Sequence, residues 1–252
     1  MSEDLQSALL AVIALALVIA NYSLFRIARR LRNNANRNSR ETKGQTTQIL
    51  REINHTYHQI EALEQLLPAL KLTAPLPASR GWAASPDFLL TLSEVTRKVK
   101  PKLAVELGSG VSTLVLAKSG AKKIISLDHT EEFGQATREL LKDHKVSGAE
   151  IRIAPLEDYP AGYKWYAHKT IDGIRNIDLL VIDGPPSSTN SDARYPALEF
   201  LLPVLSKKAT IILDDADRDD EKKLAEDIAK ALPNHKLTFL RHEKGTALIR
   251  PL

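Results

Sequence analysis

The chain has 252 residues, 43% of them hydrophobic and 26% charged, which leaves room for one sizeable core plus an extra segment. It contains no cysteine, which excludes a disulfide framework and a thiolate metal site. The net charge of +4 is concentrated in one window without acids, at Arg26, Arg29, Arg30, Arg32, Arg37 and Arg40. Subtracting these six leaves −2 for the remainder, so the sequence predicts no nucleic-acid partner.

Residues 1–25 read as a transmembrane anchor. Leu5 to Phe25 is almost wholly apolar, and about 20 helical residues span a hydrocarbon core of ~30 Å. Glu3 and Asp4 precede the segment and the arginines follow it, the reverse of a signal peptide. By the positive-inside rule this predicts a single-pass protein of the cell membrane with its bulk in the cytoplasm. Residues 26–48 read as a basic, polar juxtamembrane tether able to lie against anionic headgroups.

Residues 49–72 read as a helical stalk, with Ile49, Ile53, Ile60, Leu63, Leu67 and Leu70 at a and d positions and Thr56 the weak member. Three heptads predict either a coiled coil joining two copies through residues 49–70 or a helix packed on its own domain. Pro68 bends or ends that helix, and Pro75, Pro77, Gly81 and Pro86 mark a linker. A domain spanning 73–252 follows. Ser85-Pro86-Asp87 opens a helix whose apolar face is Phe88, Leu89, Leu92 and Val95.

From Leu103 strands and helices alternate. Strands are expected near 103–107, 123–127, 150–154, 177–182, 209–214, 236–241 and 246–250, and helices near 111–119, 132–145, 192–206 and 218–232. The pattern predicts an α/β fold, a Rossmann-like, doubly wound, mostly parallel seven-stranded sheet. The short turn Arg241–Gly245 closes it with an antiparallel hairpin.

Ligands of such sheets bind beyond the carboxyl ends of the strands. The first strand ends in Glu106-Leu-Gly108-Ser109-Gly110 and runs into a helix, an arrangement that aims backbone amides at one point. The second ends in Asp128, the fourth in Asp183, and the fifth in Asp214-Asp215. Any one of these acids could cap the following turn. A cationic or hydroxyl-rich ligand accounts for all of them together.

Val105-Glu-Leu-Gly-Ser-Gly110 resembles the first motif of the class I S-adenosylmethionine-dependent methyltransferases, and the resemblance extends from Leu103 to Pro251. It implies S-adenosylmethionine as cofactor. Glu106, Gly108, Ser109, Gly110, Ser112 and Thr113 would sit at its methionine end, with Asp128 on the ribose. His129 and Gly184 would line the pocket, and Glu157 or Asp158 would meet the adenine. The third glycine of a dinucleotide fingerprint is missing, since Thr113 stands in its place.

Ile182-Asp183, Arg194-Tyr195 and Leu213-Asp214-Asp215 look like the O-methyltransferase branch, in which the acids matching Asp183 and Asp215 bind a divalent metal such as magnesium. Ala216 stands where that branch has a third ligand, and Gly184-Pro-Pro186 where it often has a lysine base. A metal-bound and a metal-free site are therefore both open. Asp183 and Asp215 are the catalytic candidates on either route. Arg194, Tyr195 and Arg218 are candidate substrate contacts, a helix-start arginine more often pairing with a nearby acid. Trp165 and Tyr166 form a substrate wall or cover the sheet.

The resulting expectation is a membrane-anchored methyltransferase acting on a hydroxyl of a small molecule, glycan or lipid-linked acceptor. The alternatives are a non-catalytic tethered scaffold of the same fold, an aminopropyltransferase, and an NAD-binding enzyme.

Overall fold

The computed structural model describes residues 3–79, 81, 83–160 and 162–252. Met1 and Ser2 of the expected anchor and Arg80 and Trp82 of the expected linker lie outside them. The chain forms two compact units that meet between Thr56 and Tyr57.

The described residues of the first unit are all helical. Helix α1 runs from Glu3 to Leu70, and its last turns belong to the second unit. Its apolar stretch reaches a mean hydropathy of 2.4 with none of that window buried, and side chains such as Leu9, Val12, Leu15, Ile19 and Phe25 are exposed. A helix satisfies its own backbone, as a lipid-exposed span must. Residues 26–48, expected as a basic, polar tether, are helical. Arg37 and Glu41 pair at 2.8 Å, and the Thr46 and Thr47 hydroxyls donate to carbonyls one turn back.

The second unit begins at Tyr57, earlier than the expected boundary at 73. Ala62, Leu66 and Leu70 are buried, and the two leucines pack with Phe88, Leu89 and Leu92 of α2 (Pro86–Val99). The end of the stalk is thus a helix packed on its own domain. Of the buried positions Ala62 and Leu66 lie off the heptad stripe and Leu70 lies on it, and Ile49, Ile53, Ile60 and Leu67 remain exposed. Helix α2 starts as expected with Pro86 in its first turn, although the Ser85 hydroxyl bonds Asp87 Oδ1 at 2.6 Å instead of capping a helical amide.

The alternating elements are β1 (Leu103–Leu107), α3 (Val111–Lys118), β2 (Lys123–Asp128), α4 (Glu131–Asp143) and β3 (Ala149–Ile153). A small hairpin follows, β4 (Leu156–Asp158) with β5 (Lys164–Tyr166). Then come β6 (Ile177–Ile182), α5 (Ala197–Phe200), β7 (Leu205–Asp214), α6 (Asp219–Ala231), β8 (His235–Leu240) and β9 (Thr246–Pro251). The sheet order is β3-β2-β1-β6-β7-β9-β8. Its first five strands are parallel, and β9 and β8 are the antiparallel hairpin expected at the end.

The central strands alternate across the pleat and bury both faces, which is why they read as continuous apolar runs. Val105, Leu107, Leu180, Ile182, Ile211 and Leu213 face Trp165, Tyr166 and α6. Ala104, Leu179, Val181 and Ile212 face α2, α3 and the end of α1. The helix expected over 192–206 is only α5 and a 3₁₀ turn at Leu202–Val204, because Pro196 and Pro203 interrupt the segment. The β4–β5 hairpin has strands of three residues, too short for a periodic signal.

Leu66 and Leu70 are fully buried, and removing a buried leucine costs about 2–5 kcal/mol. A fragment comprising residues 57–252 should therefore be several kcal/mol more stable in urea unfolding than one comprising 73–252. Equal stabilities would show that the end of α1 is dispensable to the core.

Candidate functional site

Because β2, β1, β6 and β7 are neighbours and parallel, their carboxyl ends lie side by side, and each delivers an acid to the same edge. The turn after β1 is pressed against the end of β6. The Asp183 amide donates to Leu107 O at 2.9 Å, and a Cβ on Gly108 would stand 3.0 Å from the Asp183 carbonyl oxygen. With φ of 94° as well, only glycine suits this position. Gly184 is equally confined, since a Cβ there would meet the Tyr166 hydroxyl and the Gly108 amide.

The turn's amides are not bare. Gly108 N–H donates to Leu127 O at 2.8 Å, Ser109 N–H to Asp128 Oδ2 at 3.1 Å, and Gly110 N–H to Thr113 Oγ1 at 3.1 Å. Asp128 also accepts from the Ser109 hydroxyl at 2.7 Å and, on its other oxygen, from Thr130 N–H at 3.1 Å. The acid expected to hold a ribose thus first holds the turn that precedes α3. His129 stands beside it, its Nδ1 at 3.7 Å from Oδ1.

Glu106 is fully buried. Its Oε2 accepts from Thr113 Oγ1 at 2.6 Å and Ser126 Oγ at 2.5 Å, whereas Oε1 has no hydrogen-bond partner among the described residues. Burial pushes its pKa up to about 7, against the opposing hydroxyls of Ser112, Ser126 and Thr113. Ser126 was overlooked in the sequence, although a serine inside Ile124-Ile-Ser-Leu127 is a polar residue at a buried strand position facing Glu106 in register. Thr137, whose hydroxyl lies 2.9 Å from that of Ser109, carries no comparable sequence signal.

At the other half of the edge the centre is Arg194, only 4% exposed. Its Nη2 donates to Asp215 Oδ2 at 2.7 Å and to Asp183 Oδ1 at 3.2 Å, and its Nη1 to the Asp214 carbonyl at 2.9 Å. Glu221 Oε1 lies 3.7 Å from Nε, and Arg218 Nη1 lies 2.9 Å from Asp215 Oδ2. Asp183 keeps 21% of its side chain exposed, and among the described residues its side-chain hydrogen bond and ion pair both go to Oδ1. Burial and the Asp215 charge raise its pKa to about 6 in spite of Arg194. Asp214 is buried with neither carboxyl oxygen bonded among the described residues, and burial, Asp183 and Asp215 raise it well above the carboxylate range.

Tyr166 joins the two halves. It is buried, and its phenol feels Asp128, Arg194, Asp183 and Glu106; burial first, then these acids, suppress its ionisation. With Trp165, whose ring it meets edge-on at 5.0 Å, it covers the sheet.

Three expected contacts lie apart from the cluster. Tyr195 donates to Asp227 Oδ2 at 3.0 Å and faces a separate cavity of about 420 Å³ shared with Tyr163, Asn190, Asp192 and Leu198. Glu157 and Asp158 are exposed on the β4–β5 hairpin, and no hydrogen bond or ion pair joins them to the turn or to Asp128. Among the described residues, no group of three or more histidines and carboxylates is arranged to hold a metal ion.

Residues 105–216 match a family described as a methyltransferase domain. A comparison with curated protein sequences found no match. Among solved structures, the chain is similar to an O-methyltransferase of Bacillus cereus in complex with S-adenosylhomocysteine. That match has 18% identity and a TM-score of 0.54, covering 76% of this chain and 91% of that one. A Podospora anserina methyltransferase bound to S-adenosylhomocysteine matches at 20% identity and a TM-score of 0.52, covering 68% and 80%. A Streptomyces achromogenes O-methyltransferase in complex with S-adenosylmethionine matches at 14% and 0.50, covering 67% and 81%.

Glu106 binds its proton more tightly folded than unfolded, so its contribution is undisturbed below pH 4.5 and turns unfavourable as pH rises towards 7. Relative to Glu106→Gln, the wild-type domain should lose up to about 3 kcal/mol of stability between pH 5 and pH 8. Urea unfolding at the two pH values measures this, and a pH-independent difference would contradict the buried-acid assignment.

Proposed function

We propose that the chain is a class I S-adenosylmethionine-dependent methyltransferase and that it transfers the methyl group of S-adenosylmethionine to an oxygen of an acceptor presented at a membrane. The observation that carries this reading is the convergence of Glu106, the Gly108–Gly110 turn, Asp128 and Asp183 at one sheet edge, around Tyr166.

The residues suit the cofactor. Glu106 offers a buried acceptor oxygen with no partner among the described residues, which a cationic amino group would satisfy. The first amides of α3 follow the turn, with Ser112 and Thr113 beside Glu106. Asp128 has lone pairs left for a ribose hydroxyl beyond its bonds to Ser109 and Thr130. When bound, the cofactor supplies an electrophilic methyl on a sulfonium. The sulfur–carbon bond breaks as the oxygen–carbon bond forms, and the acceptor's hydroxyl proton must leave.

Asp183 is placed to take that proton. One of its oxygens is fixed by Arg194 and the other is open, and its burial makes it a better base than a solvated carboxylate. Asp215 and Arg218 lie behind it as fixed charges. The in-line geometry is chiefly a matter of positioning. The apolar stretch of α1 with its trailing arginines supports a single-pass anchor that keeps the catalytic unit on the cytoplasmic face, and hence a lipid-linked or membrane-assembled acceptor.

Calorimetric titration of the full chain with S-adenosylhomocysteine should show binding, and Asp128→Ala should weaken it about ten- to a hundredfold, or 1.5–3 kcal/mol. Absence of binding would leave a non-catalytic scaffold, and a preference for NADH would point to an oxidoreductase. Membranes containing the full chain, incubated with methyl-labelled cofactor, should transfer label into the lipid extract. Asp183→Asn should reduce that transfer at least about a hundredfold. Label recovered only in soluble compounds would refute the membrane acceptor, and undiminished transfer would refute Asp183 as the base.

A further inference from the structure

Deepening the reading just proposed, we infer that Arg194 is the internal counter-cation of the Asp183–Asp215 pair and fills the place a divalent ion would need, so that the site works without a metal. An ion shared by the facing oxygens, Asp183 Oδ1 and Asp215 Oδ2, would lie about 2.0–2.6 Å from each. Arg194 Nη2 already stands 3.2 Å from the first and 2.7 Å from the second. Ion and nitrogen cannot both occupy that gap.

Arg194 is not free to swing aside. Its other guanidinium nitrogens donate to the Asp214 carbonyl at 2.9 Å and, at 3.4 Å, to the Pro185 carbonyl, and the side chain is almost wholly buried. Withdrawing it would take a donor from four acceptors inside the protein, of which Asp215 Oδ2 would still have Arg218, and the penalty is large. A second positive charge, Arg218, sits 2.9 Å from the same Asp215 oxygen and would repel an incoming cation. The donor set agrees, because Ala216, which follows Asp215, offers no side-chain oxygen.

Arg194 is therefore a positioning residue. It neutralises Asp215, aligns Asp183 through one oxygen, and leaves the other oxygen towards the acceptor. The planar fork matters: a lysine ammonium in the same place is a point charge without the geometry to bridge both carboxylates and a carbonyl.

Manganese binding to the full chain, read by electron paramagnetic resonance, tests the inference without an acceptor. The wild-type protein should bind no manganese at this site, and neither its thermal midpoint nor its S-adenosylhomocysteine affinity should change with EDTA. Arg194→Ser, which leaves the acid pair bare, should bind manganese at least about tenfold more tightly than wild type. It should also regain part of its lost thermal stability on adding the ion, and Asp183→Asn in that background should abolish both effects. Should Arg194→Ser fail to fold, Arg194→Lys serves, with a smaller gain that Asp183→Asn again removes. Stoichiometric manganese on the wild-type chain that is lost in Asp183→Asn would overturn the inference, as would an Arg194 variant that folds but gains no affinity. Failure to bind S-adenosylhomocysteine would defeat the methyltransferase reading alone, because the manganese measurements still report on the arginine and its acids.

Discussion

Acids removed from water at one sheet edge must each be answered by a donor, a counter-charge or a proton. That constraint organises the second unit of this protein. Asp128 is answered by two amides and two hydroxyls, and in accepting those of Ser109 it sets the conformation of the Gly108–Gly110 turn. Glu106 is answered on one oxygen by Thr113 and Ser126 and holds its proton to about pH 7. Asp183 and Asp215 are answered by Arg194. Asp214, with no donor to either oxygen, is driven towards its neutral form. One edge therefore holds carboxyls of the same kind in different protonation and hydrogen-bonding states.

Much of this was legible in the chain. The strands buried on both faces announce themselves as short apolar runs, and an acid at the end of such a run lies on the ligand-binding edge whatever its rotamer. Pairing is less legible. Arg194 and Tyr195 are adjacent and looked equivalent as substrate contacts, yet one turns inward to two carboxylates and the other outward to Asp227. Nothing local decides which; the choice follows from where β6 and β7 bring their ends. Ser126 is the opposite case, a polar residue within a buried strand whose meaning could have been read from its place opposite Glu106.

The segments that escaped sequence reading share a physical cause. Between Asp183 and Leu205 the apolar residues have helical spacing, but Pro196 and Pro203 limit the helix to one turn, and β7 begins four residues earlier than its apolar core suggests. Residues 33–47, read as a polar tether, are helical, because polarity alone does not oppose helix. Asn and Thr are merely weak helix formers, and hydroxyl-to-carbonyl bonds such as those of Thr46 and Thr47 are made within the helix. For the stalk, the heptad count identified a helix but not its buried face. Leu66 and Leu70 enter the core, while Ile53 and Ile60 stay outside it.

The satisfied amides of the glycine turn change how the edge must work. A turn whose amides awaited a ligand would be ordered by that ligand, and binding would bear the cost of ordering it. Here Leu127, Asp128 and Thr113 have already taken those amides, so the turn is set before anything binds. Recognition is left to groups the protein does not satisfy itself: the second oxygen of Glu106, the open oxygen of Asp183 and the first amides of α3. Two of these are acceptors, one beside the turn and one beyond it. They favour a ligand that is cationic near Glu106 and has a proton to lose near Asp183, with Gly108 and Gly184 keeping the floor between them free of side chains.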